Sequence, residues 1–214
     1  MIEPSKKLYI LIGILISALL IIFSARFFTR ERSSQAEEGG PVAFGCSDPI
    51  NYQGDVYNTV EISGQCWLAE NLRAVSYRDG TAIPNLADSA EWAKTEEGAY
   101  ACYYNQDKKC QEHGALYNWH AVNNKKGICP EGWGVPTDEQ WTELEGYDLN
   151  TGLGGFRNSA GPFSFLDERG FWWTPAPSGD FASAVAIDKE NGGMRIIESS
   201  KSSGFSVRCI RDSE

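Results

Sequence analysis

Cys129-Pro-Glu-Gly-Trp-Gly-Val-Pro-Thr-Asp-Glu-Gln-Trp141 carries three structural signals in thirteen residues. A cysteine and a Pro/Gly turn lead into an aromatic. A Pro-Thr pair then opens a helix. Thr137 is placed to cap it, Gln140 three residues on completes a capping box, and Asp138 and Glu139 lie where the helix dipole favours acids. The buried face of that helix is expected to hold Trp141, Leu144 and Tyr147. This density points to a specific small extracytoplasmic fold rather than to a catalytic loop.

Downstream the pattern turns to strands. Phe171-Trp-Trp-Thr174 is β-rich. Phe181 to Asp188 places Phe181, Ser183, Val185 and Ile187 on one face by period two. Asn191-Gly192-Gly193 turns the chain into Met194–Glu198, and Ser202-Ser203-Gly204 turns it again into Phe205–Arg211, where Arg208 points opposite to Phe205, Val207 and Cys209. This reads as an antiparallel meander. Upstream, Asp55 to Ile62 reads as one strand. Ser63-Gly64 is a two-residue turn, Gln65 to Leu68 the returning strand, and Gly98 to Tyr104 a short strand. Asn71 to Asp88 is mostly loop. Gly114 to Val122 has Leu116, Trp119 and Val122 at three-residue spacing, which predicts a second short helix. Two short helices with antiparallel sheets make the class α+β.

The N-terminal part is different. Lys6 and Lys7 precede an uncharged apolar run from Leu8 to Ala25, about 27 Å long as a helix and enough for a thin hydrocarbon core. A cleaved signal peptide is the competing reading. Phe23-Ser24-Ala25 lacks the small-x-small pattern of a cleavage site, which favours an uncleaved anchor. The expected organisation is therefore a membrane helix in 1–28, a polar linker in 29–40 and a domain in 41–214. Basic residues flank the run on both sides and leave its orientation open. The cysteines settle it. Six lie beyond the apolar run, at 46, 66, 102, 110, 129 and 209, with no C-x-x-C, which places the domain outside the cytoplasm. A net charge of −10 argues against nucleic acid and against docking on anionic lipid.

Four motifs in fixed order now resemble a known family. They are Gly64-Gln-Cys-Trp-Leu-Ala-Glu-Asn-Leu72, Gly114-Ala-Leu-Tyr-Asn-Trp119, Ile128 through Trp141, and Gly204-Phe-Ser-Val-Arg-Cys-Ile-Arg211. Together they are similar to the Fibrobacter succinogenes major paralogous domain, over about residues 45 to 212. Val135 to Trp141 and Val207 to Ile210 also look, more weakly, like the formylglycine-generating enzyme and C-type lectin-like group. The resemblance implies a C-type lectin-like architecture, a looped-out fold whose first and last strands pair. Gly134 stands where relatives often carry His, so a role for that side chain is not carried over.

Locality and the resemblance together suggest the disulfides Cys102–Cys110, Cys129–Cys209 and Cys46–Cys66, one of fifteen possible schemes. In the chain-entropy model they contribute about 2.6, 4.5 and 3.3 kcal/mol respectively. That leaves no cysteine pair for the oxygen chemistry of the formylglycine-generating enzymes. Calcium lectins use Glu-Pro-Asn or Gln-Pro-Asp followed by Trp-Asn-Asp, whereas this chain has Ile83-Pro84-Asn85 and no Trp-Asn-Asp. No cofactor or lectin-type calcium site is expected, and an ion held by an Asp/Glu-rich loop elsewhere stays open. The two histidines, His113 and His120, read as surface and helix-face residues.

Trp67, Trp119, Trp133 and Trp141 lie inside the motifs and read as core. Trp92, Tyr103, Tyr104 and Trp172 lie in or near loops, where exposed rings would stack on a sugar or anchor a partner protein; packing beneath long loops is the alternative. The expected function is a membrane-anchored surface binding or adhesion module without catalysis, held by residues 8–25, with a glycan or protein ligand. Two other readings stand beside it. One is a subunit of a pilus-like filament that associates through its N-terminal helix; Lys6-Lys7 resembles a prepilin leader, but Leu8-Tyr9-Ile10 replaces its signature. The other is a polysaccharide-active enzyme, which needs two facing carboxylates. Asp138, Glu139, Glu143, Asp167 and Glu168 are present, and their spacing singles out no pair.

Overall fold

Ser63 and Gly64 set the first register. Both have left-handed φ, 52° and 74°, as a primed two-residue hairpin turn requires. They join β3 (Thr59–Ile62) to β4 (Gln65–Leu68), with Ile62 opposite Gln65. The expected single strand from Asp55 is two strands. Asn58 interrupts it, donating from its backbone N and its Nδ2 to the Glu70 carboxylate. The earlier piece, β2 (Asp55–Tyr57), pairs back on β1 (Ile50–Tyr52). A computed structural model describes residues 45–144, 152–190 and 192–211, all within one compact unit spanning 44–214. The apolar run 8–25, the linker 29–40, the boundary at 41 and Tyr147 lie outside the described residues. No helix among the described residues is long and apolar enough to cross a membrane.

Four short α-helices are described, where the sequence predicts two: α1 (Ser89–Lys94), α2 (Asp107–His113), α3 (Trp119–Val122) and α4 (Asp138–Thr142). The capping box of α4 is present, and Trp141 and Leu144 are buried. The segment 114–122 is helical only at its end. It begins as β6 (Leu116–Tyr117), paired with β5 (Tyr100–Ala101), and becomes helical after Asn118, whose side chain accepts from Ala121 N. Of the two helices that the sequence pattern does not reveal, α1 is capped by the Asp88 side chain, and α2, which has no side-chain N-cap, is tied by the Cys102–Cys110 disulfide.

The larger sheet has the order β12-β11-β10-β8-β9. Its strands are β8 (Gly154–Arg157), β9 (Phe163–Leu166), β10 (Arg169–Ser178), β11 (Phe181–Asp188) and β12 (Met194–Ser200). The strands β10, β11 and β12 form the expected meander. On β11, Val185 and Ile187 share one face as period two places them; the strand is buried on both sides from Ala182 to Asp188, while Phe181 is exposed. The sheet divides two cores. Ala182 and Ala184 pack in one with Tyr117, Trp173 and Phe205. Val185 and Ile187 pack in the other with Trp67, Trp141 and Trp172. Alternation cannot appear where both faces are covered.

The last segment does not extend the meander. Residues 204–210 run between the two sheets, bridging to Arg157, Tyr117 and Trp172 in turn. They end in β13 (Ile210–Arg211), which lies between β4 and β7 (Trp133–Gly134) in the sheet β3-β4-β13-β7. Arg208 does point away from its neighbours, but into the second core, where it is 4% exposed. Burial lowers its pKa to about 10, and it stays charged at neutral pH. Three disulfides tie the fold, Cys46–Cys66, Cys102–Cys110 and Cys129–Cys209, the pairs suggested by locality and resemblance.

Asn71 joins the parts. Its Nδ2 donates to His113 O (2.9 Å) and Gly152 O (2.7 Å). Its Oδ1 accepts from Trp172 Nε1 (2.7 Å) and from Arg208 Nη2 (3.1 Å). Gly114 makes room for it, since a Cβ there would lie 2.4 Å from Asn71 Cβ, and the φ of 85° adds strain for any other residue. Replacing Asn71→Ala strands buried donors and carbonyls at about 1–3 kcal/mol each. We expect a loss of about 3 kcal/mol or more in urea unfolding; a change under about 0.5 kcal/mol would show that the amide is dispensable. The Tyr57 phenol is also buried, and desolvation raises its pKa to about 12. An exposed tyrosine ionises near 10. The stabilisation is complete below pH 10 and disappears as pH rises to 12. Thermal melts should fall across that window, and Tyr57→Phe should flatten the fall; an unchanged slope would exclude this proton as a contributor.

Candidate functional site

The loop Cys102–Cys110 presents an aromatic ring. The disulfide closes it with the Cα atoms 5.0 Å apart. Inside it, a 3-10 turn at Tyr103–Asn105 contains two consecutive left-handed residues, Tyr104 (φ 53°, ψ 23°) and Asn105 (φ 56°). Non-glycine residues in this region cost roughly 1–2 kcal/mol each. The surroundings hold them there: Asn105 N donates to Cys102 O, and Asn105 Nδ2 donates to Ala87 O. Strain kept in this way is a recurring mark of binding surfaces.

Tyr104 is 60% exposed, and Tyr103 beneath it is 3% exposed. Their ring centroids lie 4.6 Å apart at 65°, and Phe163 of β9 closes the triangle at 5.2 and 5.8 Å. Tyr103 Oη accepts from Leu166 N at 3.4 Å. Burial raises its pKa, and the nearby Tyr104 and Glu168 add to the rise.

A buried cation supports this platform. Arg157 is fully buried and donates to Leu86 O, Ala87 O (3.0 Å) and Gly161 O (3.0 Å). Its guanidinium lies 4.4 Å from the Trp92 ring centroid and 5.0 Å from that of Phe163. Burial lowers its pKa to about 10, partly offset by Asp88. Arg157 thus fixes the loop that receives Asn105 and the ring that supports Tyr104.

The neighbouring rim is charged. Phe165 has left-handed φ (65°) and is 37% exposed; Phe156 stacks with its ring at 5.9 Å and the Arg169 guanidinium lies 4.5 Å from its centroid. Arg169 is paired with Asp188 at 2.7 Å. An open pocket of about 280 Å³ is lined by Asp167, Glu168, Arg169, Asp188, Lys189 and Glu190. His113 lies 3.6 Å from Asp167 and 3.7 Å from Glu112. Half-buried His120 sits elsewhere, beside Trp119, and burial and Lys201 lower its pKa. No group of three metal-ligating side chains occurs among the described residues.

Of the four rings named from the sequence, the structure brings Tyr103 and Tyr104 together, and only Tyr104 is available to a ligand. Trp92 and Trp172 are corrected to core residues. Trp92 is fully buried on α1 and donates to Ser202 O, and Trp172 is fully buried on β10 and donates to Asn71. Tyr103 is corrected to the support beneath the exposed ring. Trp67, Trp119, Trp133 and Trp141 are buried. Sequence reading missed Phe163 and Arg157; neither lies in a motif, and a lone arginine between strands carries no burial signal. Of the acids weighed for catalysis, Asp167 and Glu168 line the open pocket, and Asp138, Glu139 and Glu143 belong to α4 and its cap. Ser183 Oγ donates its one proton to the Asp138 carboxylate, 2.8 Å from both oxygens, and Glu139 is an exposed residue of the first turn of α4.

Residues 60–151 match the family model of the Fibrobacter succinogenes major domain. The match covers less than half of the 214 residues and holds the first three motifs and the Tyr104 loop; the closing motif at 204–211 lies beyond it. No curated protein matches, and no solved structure matches. Arg157→Lys keeps the charge but loses the planar fork that reaches several carbonyls. We expect Arg157→Lys to cost about 1–3 kcal/mol in urea unfolding and Arg157→Ala more. Equal stability of both variants and the parent would remove Arg157 from this role.

Proposed function

We propose that this chain is a non-catalytic binding module displayed on the outer side of a membrane, with Tyr104 as its anchor ring. The observation that carries the reading is a large ring, 60% exposed, held in left-handed geometry by a disulfide-closed loop over two packed rings. A rigid, preorganised ring loses little freedom on binding. The apolar run 8–25 serves as the anchor in this reading, and the six cysteines support an oxidising compartment. We also read the architecture as C-type lectin-like. In support, the chain's closing strand β13 returns to pair with β4, and Cys129–Cys209 ties the central turn to it.

The test uses the full-length protein in mild detergent, probed on combined glycan and protein arrays. Tyr104→Ala should lower the retained signal at least tenfold, about 1.4 kcal/mol, with the melting temperature almost unchanged. Binding that is indifferent to Tyr104→Ala would place the ligand surface elsewhere.

A further inference from the structure

We propose that the Tyr104 surface takes an uncharged saccharide, one pyranose face lying on the exposed ring while its hydroxyl groups meet the surrounding carboxylates. This rests on the binding reading above and names its ligand class.

Area is the first argument. A stable protein interface needs about 800 Å² from each partner around an apolar core. Here the apolar platform is one ring wide. Tyr103 is buried beneath it, Phe163 is half-buried, and Phe165, less exposed than Tyr104, packs against Phe156 and the Arg169 guanidinium. A single open phenol face suits the C–H face of one sugar ring, whose weakly positive hydrogens meet the negative π-face.

Charge is the second argument. Asp107 follows Tyr104 in the same loop, and Glu168 lies close enough to influence Tyr103. In the pocket at 167–169 and 188–190, Arg169 pairs with the buried Asp188, and the exposed residues are the acids Asp167, Glu168 and Glu190 against Lys189. Lys108 and Lys109 both reach Glu112, and Arg169 is taken by Asp188. Exposed carboxylates accept hydrogen bonds from hydroxyl groups and repel anions, so the rim selects uncharged sugars over polyuronates.

The experiment is affinity electrophoresis and pull-down of the full-length protein in mild detergent. The probes are cellulose, xyloglucan, xylan, mannan and starch, with polygalacturonate as the anionic control and a protein array in parallel. We expect retention by at least one uncharged polysaccharide and none by polygalacturonate. Tyr104→Ala should weaken that retention at least tenfold, and Tyr104→Phe or Tyr104→Trp should keep it within about threefold. Tyr104-dependent capture on the protein array without polysaccharide retention would overturn the saccharide assignment and leave the binding surface standing. Equal or stronger retention by polygalacturonate would overturn it as well. Polysaccharide retention unaffected by Tyr104→Ala, or no retention by any probe, would overturn both.

Discussion

The Asn71 carboxamide has two donor and two acceptor positions, and all are used on segments far apart in the chain. One end holds the carbonyls at the close of α2 and before β8. The other holds the Trp172 indole and the Arg208 guanidinium. A buried amide that is fully satisfied favours one arrangement, because any shift leaves desolvated polar groups without partners. The segment 204–210 depends on this. It threads between two sheets, and its register is held by Asn71 from one side and by backbone bonds with Tyr117, Phe171 and Leu72.

The same constraint reaches the candidate site. Segment 204–206 bridges to Arg157 and Trp172, so the strand that carries Arg157 is fixed by the chain's own closing segment. Arg157 in turn holds Ala87 and Phe163, and these hold Asn105 and Tyr104. The exposed ring is thus the outer end of a chain of contacts that begins in the core. Its two left-handed residues are strained locally and tolerated because the surrounding structure leaves them no alternative.

Much of this was legible from particular residues. The Ser63-Gly64 turn, the Thr137–Gln140 capping box and the strand Phe181–Asp188 follow from short-range chemistry that operates wherever those residues stand. The misreadings have one cause. Period two groups Val185 and Ile187 on one face of β11, but it does not show that a second core covers the other face. Trp92 and Trp172 looked like loop rings because their covers come from other elements, Ala99, Ala101 and Arg157 over Trp92 and Trp141, Val185 and Ile187 over Trp172. Their indole N–H groups are bonded more than a hundred positions away. The break at Asn58 depends on Glu70, twelve residues on, and no local pattern shows it.

The sequence by itself determined the α+β class, the turn and cap positions, the cysteine set and the tryptophan-rich motifs, since these rest on backbone preference, periodicity and composition. Only the tertiary structure decided which aromatic rings meet solvent. Exposure depends on what folds over a residue, and the covers here come from other elements joined at Asn71 and Arg157. For that reason one ring of the four, Tyr104, is left on the surface.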